Sequence, residues 1–294
     1  MDQGFKSIIH DSNILSWLLR SNIDELKGMS IDEVKACLNI GEDGRTVIGK
    51  ESYYFSPDTG PIYPDSVFDI TIPGDDGKIT VTVDIEGQNN ARPKYPLEKR
   101  AEYYVARLVS SQKDREFKGD DYAKIRKVYS IWLIFDPKAG YRNTVARYSM
   151  KAESIVGDPN RVLPVMDTFN ILMINIGRYD SELPDVMAFP TALFSKMSKD
   201  ERSEVMMDRF NIEFDDIISK EVDDMASIGE DTYDRGFDDG IEKGIEKGIE
   251  DKSIDMIISL ITEEGWDLDR AIAFVKVSDD RADHIRNEVL KRLA

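Results

Sequence analysis

The chain has 294 residues, 41% hydrophobic and 33% charged, which is enough apolar material for a full core and enough length for one or two domains. Its formal net charge of −18 argues against a generic nucleic-acid binder, and its apolar runs are too short to span a bilayer. The opening Met1-Asp2-Gln3-Gly4-Phe5-Lys6 does not read as a signal peptide, and the lone Cys37, unable to form an internal disulfide, fits a reducing cytoplasm.

From the N-terminus, residues 12–38 read as helical, with an apolar stripe of Ile14, Leu15, Leu18 and Leu19. Ser30-x-x-Glu33 is a capping box that opens a second short helix. Residues 40–64 are rich in Gly, Pro, Ser and Asp, with room for strands near 46–49 and Tyr53. Two stronger strands follow, Val67–Ile72 and Ile79–Ile85, joined by the hairpin signal Pro73-Gly74-Asp75-Asp76-Gly77. Residues 95–112 read as a helix with Leu97, Ala101, Tyr104 and Leu108 on one face. The span 125–135 contains the unbroken apolar run Ile131-Trp132-Leu133-Ile134-Phe135 of a strand covered on both faces. Strands are expected near 145–150 and 169–176, and Ser198-x-x-Glu201 caps a helix running to Phe210.

This order predicts an α/β fold, a mixed sheet with helices packed on it. Near residue 215 the composition turns acidic, Gly-interrupted and helical. That places a core domain at 1–215, an acidic helix at 216–252 and a helical tail at 253–294. Charge is uneven along the chain. Residues 92–142 hold 13 Lys and Arg against 7 Asp and Glu, whereas 213–251 hold 4 against 15.

Acidic groups stand out at the strand ends. Asp84, Glu86 and Gln88 are two residues apart, so the pleat of a strand places all three on one face. Asp69 lies inside the apolar strand before them, where a carboxylate is costly unless paired, hydrogen-bonded or metal-bound. If the two strands form a hairpin, Asp69 and Glu86 are expected to meet at one end of the sheet. Two converging carboxylates repel, and a divalent cation, Mg²⁺ or Mn²⁺, removes that cost. Such an ion polarises a phosphodiester and lowers the pKa of a bound water. Gln88 is placed to orient that water or a phosphate oxygen. Asp84 is a further candidate, and Asp65 completes a literal Pro-Asp pair with Pro64; Asp69 is preferred because it lies within the apolar strand.

Asp69, then Glu86-x-Gln88 on the next strand, then a helix with Arg100-x-x-Tyr103-Tyr104-x-x-Arg107, resembles the PD-(D/E)XK nuclease superfamily. More narrowly, the chain is similar to the recombination-promoting nuclease and transposase family, in which Gln stands where the superfamily usually has Lys. His10-Asp11-Ser12-Asn13, Val128-Tyr129-Ser130-Ile131-Trp132 and the later Gly-Ile-Glu repeats extend the resemblance over nearly the whole chain. It implies a restriction-endonuclease-like fold and a metal-dependent DNA endonuclease linked to recombination or mobile elements. Asp69 and Glu86 would be metal ligands, with Gln88 in the usual Lys position. A silent relative that binds nucleic acid or self-assembles without cutting stays open as the alternative.

DNA is expected over the helix beginning near Tyr95, where Lys94, Lys99, Arg100, Tyr103 and Arg107 are the candidate contacts. The segment 236–251 repeats Gly every four residues, with Phe237, Ile241, Ile245 and Ile249 in step. On a helix this makes a small-residue stripe beside an apolar one. The expectation is a self-associating helix that continues into Ile254–Ile261.

Overall fold

The β-branched alternation either side of Pro73–Gly77 folds as expected into a hairpin, here longer than its apolar core. In the computed structural model, which describes residues 2–50, 54–56, 60–74, 77–89, 93–158, 166–214, 218–226, 248, 250–275 and 279–293, β3 is Ser66–Gly74 and β4 is Gly77–Gln88. Before them Tyr54–Ser56 (β1) and Gly60–Ile62 (β2) form a small antiparallel pair. Residues 46–49 make only isolated bridges rather than a strand.

The hairpin continues into a mixed five-stranded sheet with β5 (Val128–Ile134), β6 (Thr144–Ser149) and β7 (Phe169–Asn175), in the order β3-β4-β5-β7-β6. Pairs β4–β5 and β5–β7 are parallel, and the two outer pairs are antiparallel. Helix α4 (Leu97–Ser110) makes the crossover between β4 and β5 and packs Leu97, Ala101, Val105 and Leu108 on one face of the sheet. There it meets Val67, Trp132, Ile134, Ile171 and Met173.

The other face carries the main core. Phe68, Ile70, Val83, Ile85, Ile131, Leu133 and Ile174 pack against α1 (Asp2–Ile9), α2 (Ser12–Asn22), α3 (Ile31–Lys35), α5 (Asp185–Phe194) and α6 (Lys199–Phe210). Asp11 caps α2, its carboxylate accepting from the Asn13 and Ile14 amides, and the Ser30–Glu33 capping box is complete. Trp17 Nε1 donates to the Phe210 carbonyl at 2.8 Å and so fastens α2 to the end of α6. The Trp17 ring stacks on Phe189 and meets Phe210 edge-on.

Two compact units divide the chain, Met1–Asp231 and Thr232–Ala294. The boundary expected at residue 215 therefore lies later. Residues 218–226 are helical, and Ile218, Val222 and Met225 are buried in the core of the first unit. The predicted Gly-repeat helix at 236–251 falls almost wholly outside the described residues. In the second unit residues 250–262, Leu268–Val275 and Asp279–Leu293 are helical. Ile254 and Ile257 are covered within that unit by Ala271, Ile272, Ile285 and Val289, and Arg292 bridges Asp251 and Asp255. Among the described residues no helix is long and apolar enough to cross a membrane.

Candidate functional site

Hairpin register decides which acids meet. Gly74 pairs with Gly77, and the ladder runs back through Asp69 opposite Thr82 and Val67 opposite Asp84 to Ser66 opposite Ile85. Directly opposed residues share a face, so Asp69, Asp84 and Glu86 all lie on the α4 face. Asp69 is nevertheless four residues short of Glu86, roughly 13 Å of strand. The expected meeting of Asp69 with Glu86 does not occur.

Asp69 instead belongs to a charge cluster midway along the hairpin. Its carboxylate lies 2.5 Å from Lys50 Nζ and 3.1 Å from Arg126 Nη1, and it accepts from Thr82 Oγ1 at 2.9 Å. Glu116 bridges the same two cations, at 3.2 Å from Lys50 and 2.5 Å from Arg126. Two positive and two negative groups neutralise one another there, which accounts for an acid inside an apolar strand.

At the open end of the hairpin the acid that meets Glu86 is Asp65. Its amide donates to Glu86 Oε1 at 2.8 Å, and Gly87 N–H donates to Asp65 Oδ2 at 2.9 Å. Gly87 sits in register opposite Leu133, so the strand passes through the motif in unbroken pairing. Asp84 lies fully buried one step deeper. Ser130, its partner on β5, donates to Asp84 Oδ2 at 2.6 Å, and Trp132 Nε1 donates to Ser130 Oγ at 2.8 Å. Asp84 Oδ1 is buried without a donor, which the neighbouring Glu86 carboxyl can supply only when protonated.

Electrostatics follow from that crowding. Burial, then the Asp84 and Asp65 charges, push Glu86 well above the usual carboxylate range. Burial likewise raises Asp84, against the hydrogen bond from Ser130. Arg100 is the cation at the mouth, with Nη2 3.7 Å from Glu86 Oε2 and Nη1 donating to Gln88 Oε1 at 3.4 Å. Its guanidinium lies 5.0 Å from the Tyr104 ring centroid and 5.3 Å from that of Trp132, and Nη2 donates to Tyr104 Oη at 3.0 Å.

The other expected DNA contacts are spread out. Lys99 is exposed and paired with Glu102 at 2.7 Å, and Tyr103 is exposed. Arg107 is buried and donates to Tyr103 Oη at 2.8 Å. Thus Glu86, Gln88 and Arg100 are brought together, while Asp69, Lys99, Tyr103 and Arg107 lie outside the cluster. Sequence reasoning missed the Ser130–Trp132 support behind Asp84, and of the Asp65/Asp69 pair it preferred the one that does not adjoin Glu86. The available signal was the turn itself. Pairing Gly74 with Gly77 matches position 65 to 86 and position 69 to 82.

Among the described residues no group of three or more His, Cys, Asp and Glu side chains is arranged to hold a metal ion. The donor set is smaller. Two adjoining carboxylates, Asp65 and Glu86, with the half-buried amide of Gln88, fit a hard divalent ion that binds through one or two carboxylates and keeps several waters. No family model matches the chain, and neither the curated proteins nor the solved structures contain a match.

Proposed function

We propose that the protein is a divalent-metal-dependent endonuclease that hydrolyses DNA phosphodiesters, on a restriction-endonuclease-like sheet, in the service of recombination or mobile elements. The observation that carries this reading is the convergence of Asp65 and Glu86 at the mouth of the hairpin, with Asp84 buried below and Arg100 alongside. Asp65 and Glu86 would hold Mg²⁺ or Mn²⁺, which when bound supplies a polarised phosphoryl oxygen and a more acidic water. Gln88 orients water or a phosphate oxygen through its amide but moves no proton. Arg100 brings the positive charge that Gln88 lacks. Lying over the adjoining rings of Tyr104 and Trp132, it is held in place to meet negative charge developing on a phosphate.

A second reading, a nuclease-like fold that binds nucleic acid without cutting it, is favoured by the neutral Gln88 and by the high proton affinity of Glu86. Plasmid cleavage by the full chain with Mg²⁺, Mn²⁺ or a chelator separates the two. Under the first reading, Asp65→Asn and Glu86→Gln each lower the rate by about a hundredfold or more, a barrier increase of about 2.7 kcal/mol. Asp69→Asn keeps the rate within a few-fold and costs about 1–3 kcal/mol of stability, because Lys50 and Arg126 lose a partner. Cleavage that survives Asp65→Asn but not Asp69→Asn would place the chemistry at the Lys50–Arg126 cluster instead. Metal-independent binding with no cleavage would establish the second reading.

A further inference from the structure

Beside the carboxylates, on the same face of the sheet, lies a groove of about 670 Å³. Its floor is Ile134, Met173 and Ala146, which continue across β5, β7 and β6 the rows that begin at Glu86 and Gln88 on β4. Met173 stands two strands from Glu86, roughly 10 Å away at normal strand spacing. The walls carry three tyrosines, Tyr95 before α4, Tyr141 after β5 and Tyr148 on β6. Their residues are 50%, 59% and 45% exposed, so each leaves ring surface open to a ligand. Lys94 and Lys138 stand at the rim, with Glu98 the lone acid of the lining.

We infer that this groove seats an unpaired base of single-stranded DNA whose backbone runs past Gln88 and Arg100. The inference rests on reading the neighbouring carboxylates as a phosphodiester site. An apolar floor with exposed aromatic rings recognises the face of a base, and a duplex keeps those faces stacked out of reach. Two lysines at the rim, with Arg100 one step along the sheet, suit the phosphates on either side of the seated base. Lys94 and Lys138 outnumber Glu98 in the lining, on a chain that is otherwise strongly acidic, so the groove is a place where an anionic strand can lie. The groove adds a selection that the carboxylates alone lack, favouring unpaired over paired DNA.

The test is binding of a fluorescent oligothymidine to the full chain in chelator at low salt, so that no cleavage intervenes. The comparisons are a duplex of the same length and an oligouridine. The single strand should bind at least several-fold more tightly than the duplex. Tyr141→Ala and Tyr148→Ala should each weaken it by about five- to a hundredfold, the range for loss of one stacked base, whereas Tyr148→Phe should bind as the parent does. Equal affinity for duplex and single strand overturns the inference, as do alanine variants that bind like the parent. Tighter binding of oligouridine than of oligothymidine overturns the choice of DNA. Cleavage by Asp65 and Glu86 variants is scored separately with metal, so failure of the groove and failure of the hydrolytic reading are told apart.

Discussion

Glu86 is held between two opposing demands. Its backbone belongs to a central strand, and its carboxyl shares a nearly water-free corner with Asp84 and Asp65. Without a cation, the cheapest way to occupy that corner is to keep a proton. The folded-state pKa values of Glu86 and Asp84 lie above the ordinary carboxylate values of about 4, so the native state binds more protons than the unfolded chain. Their contribution to stability is fully present below about pH 4 and is lost as pH rises through the raised values. Thermal unfolding in chelator should therefore show this contribution shrinking between pH 5 and 8, with Mg²⁺ restoring stability at the upper end. Glu86→Gln keeps an oxygen for the Asp65 amide and is neutral without taking up a proton on folding. It should stabilise the metal-free protein at pH 8 by about 1–2 kcal/mol, a Tm rise of about 2–8 °C for a chain of this size. A parent and variant with parallel pH profiles would show that no proton is held there.

At the scale of elements, β4 is a strand whose two faces do different work. Asp84 and Glu86 face α4, while Gly87 faces the helical core, where a Cβ would meet three atoms of the Phe5 ring at 3.1 Å. Phe5 cannot yield freely, because it is buried against the paired rings of Phe135 and Phe194. Gly87→Ala should thus cost about 1–3 kcal/mol in denaturant unfolding and shift the flanking Glu86 and Gln88, which under the proposed hydrolytic function lowers cleavage too. A neutral substitution would mean that α1 rides loosely on the sheet. Much of this layer was legible in the sequence. The unbroken apolar run at 131–135 gave β5, the turn signal gave the hairpin, and Ser30 and Ser198 announced their helices. Helix α5 was not legible, because Asp185–Phe194 is apolar all round and carries Pro190, leaving neither a 3.6-residue stripe nor an uninterrupted helical signal. The site was half legible. Spacing placed Glu86 and Gln88 on one face, but strand hydrophobicity was allowed to choose Asp69 where hairpin register selects Asp65.

For the whole molecule, the first unit is completed by residues far along the chain. Ile218, Val222 and Met225 are buried against the sheet's helical face, and each is worth about 1.5–3 kcal/mol when fully buried. Ending the chain after residue 215 removes a sum comparable with the total stability of a typical domain, whereas ending it after Asp231 removes none of it. Differential scanning of the two shortened proteins should show a cooperative transition close to the parent's for the longer one and none for the shorter. Equal transitions would mean that the 218–226 helix is an accessory to the core.

The bond from Trp17 to the Phe210 carbonyl closes a loop of 193 residues. On the ribosome, at about 5–20 residues per second, α2 must wait roughly 10–40 s for that partner to be synthesised. During that interval Leu15, Leu18 and Leu19 gain their cover piecemeal, from β4 by residue 88, β7 by residue 175 and α5 by residue 194. The seat of α2 is thus complete only when α5 and α6 have followed the strands of the sheet out of the ribosome. The protein's earliest-made apolar surface is the one that nascent-chain chaperones meet for longest.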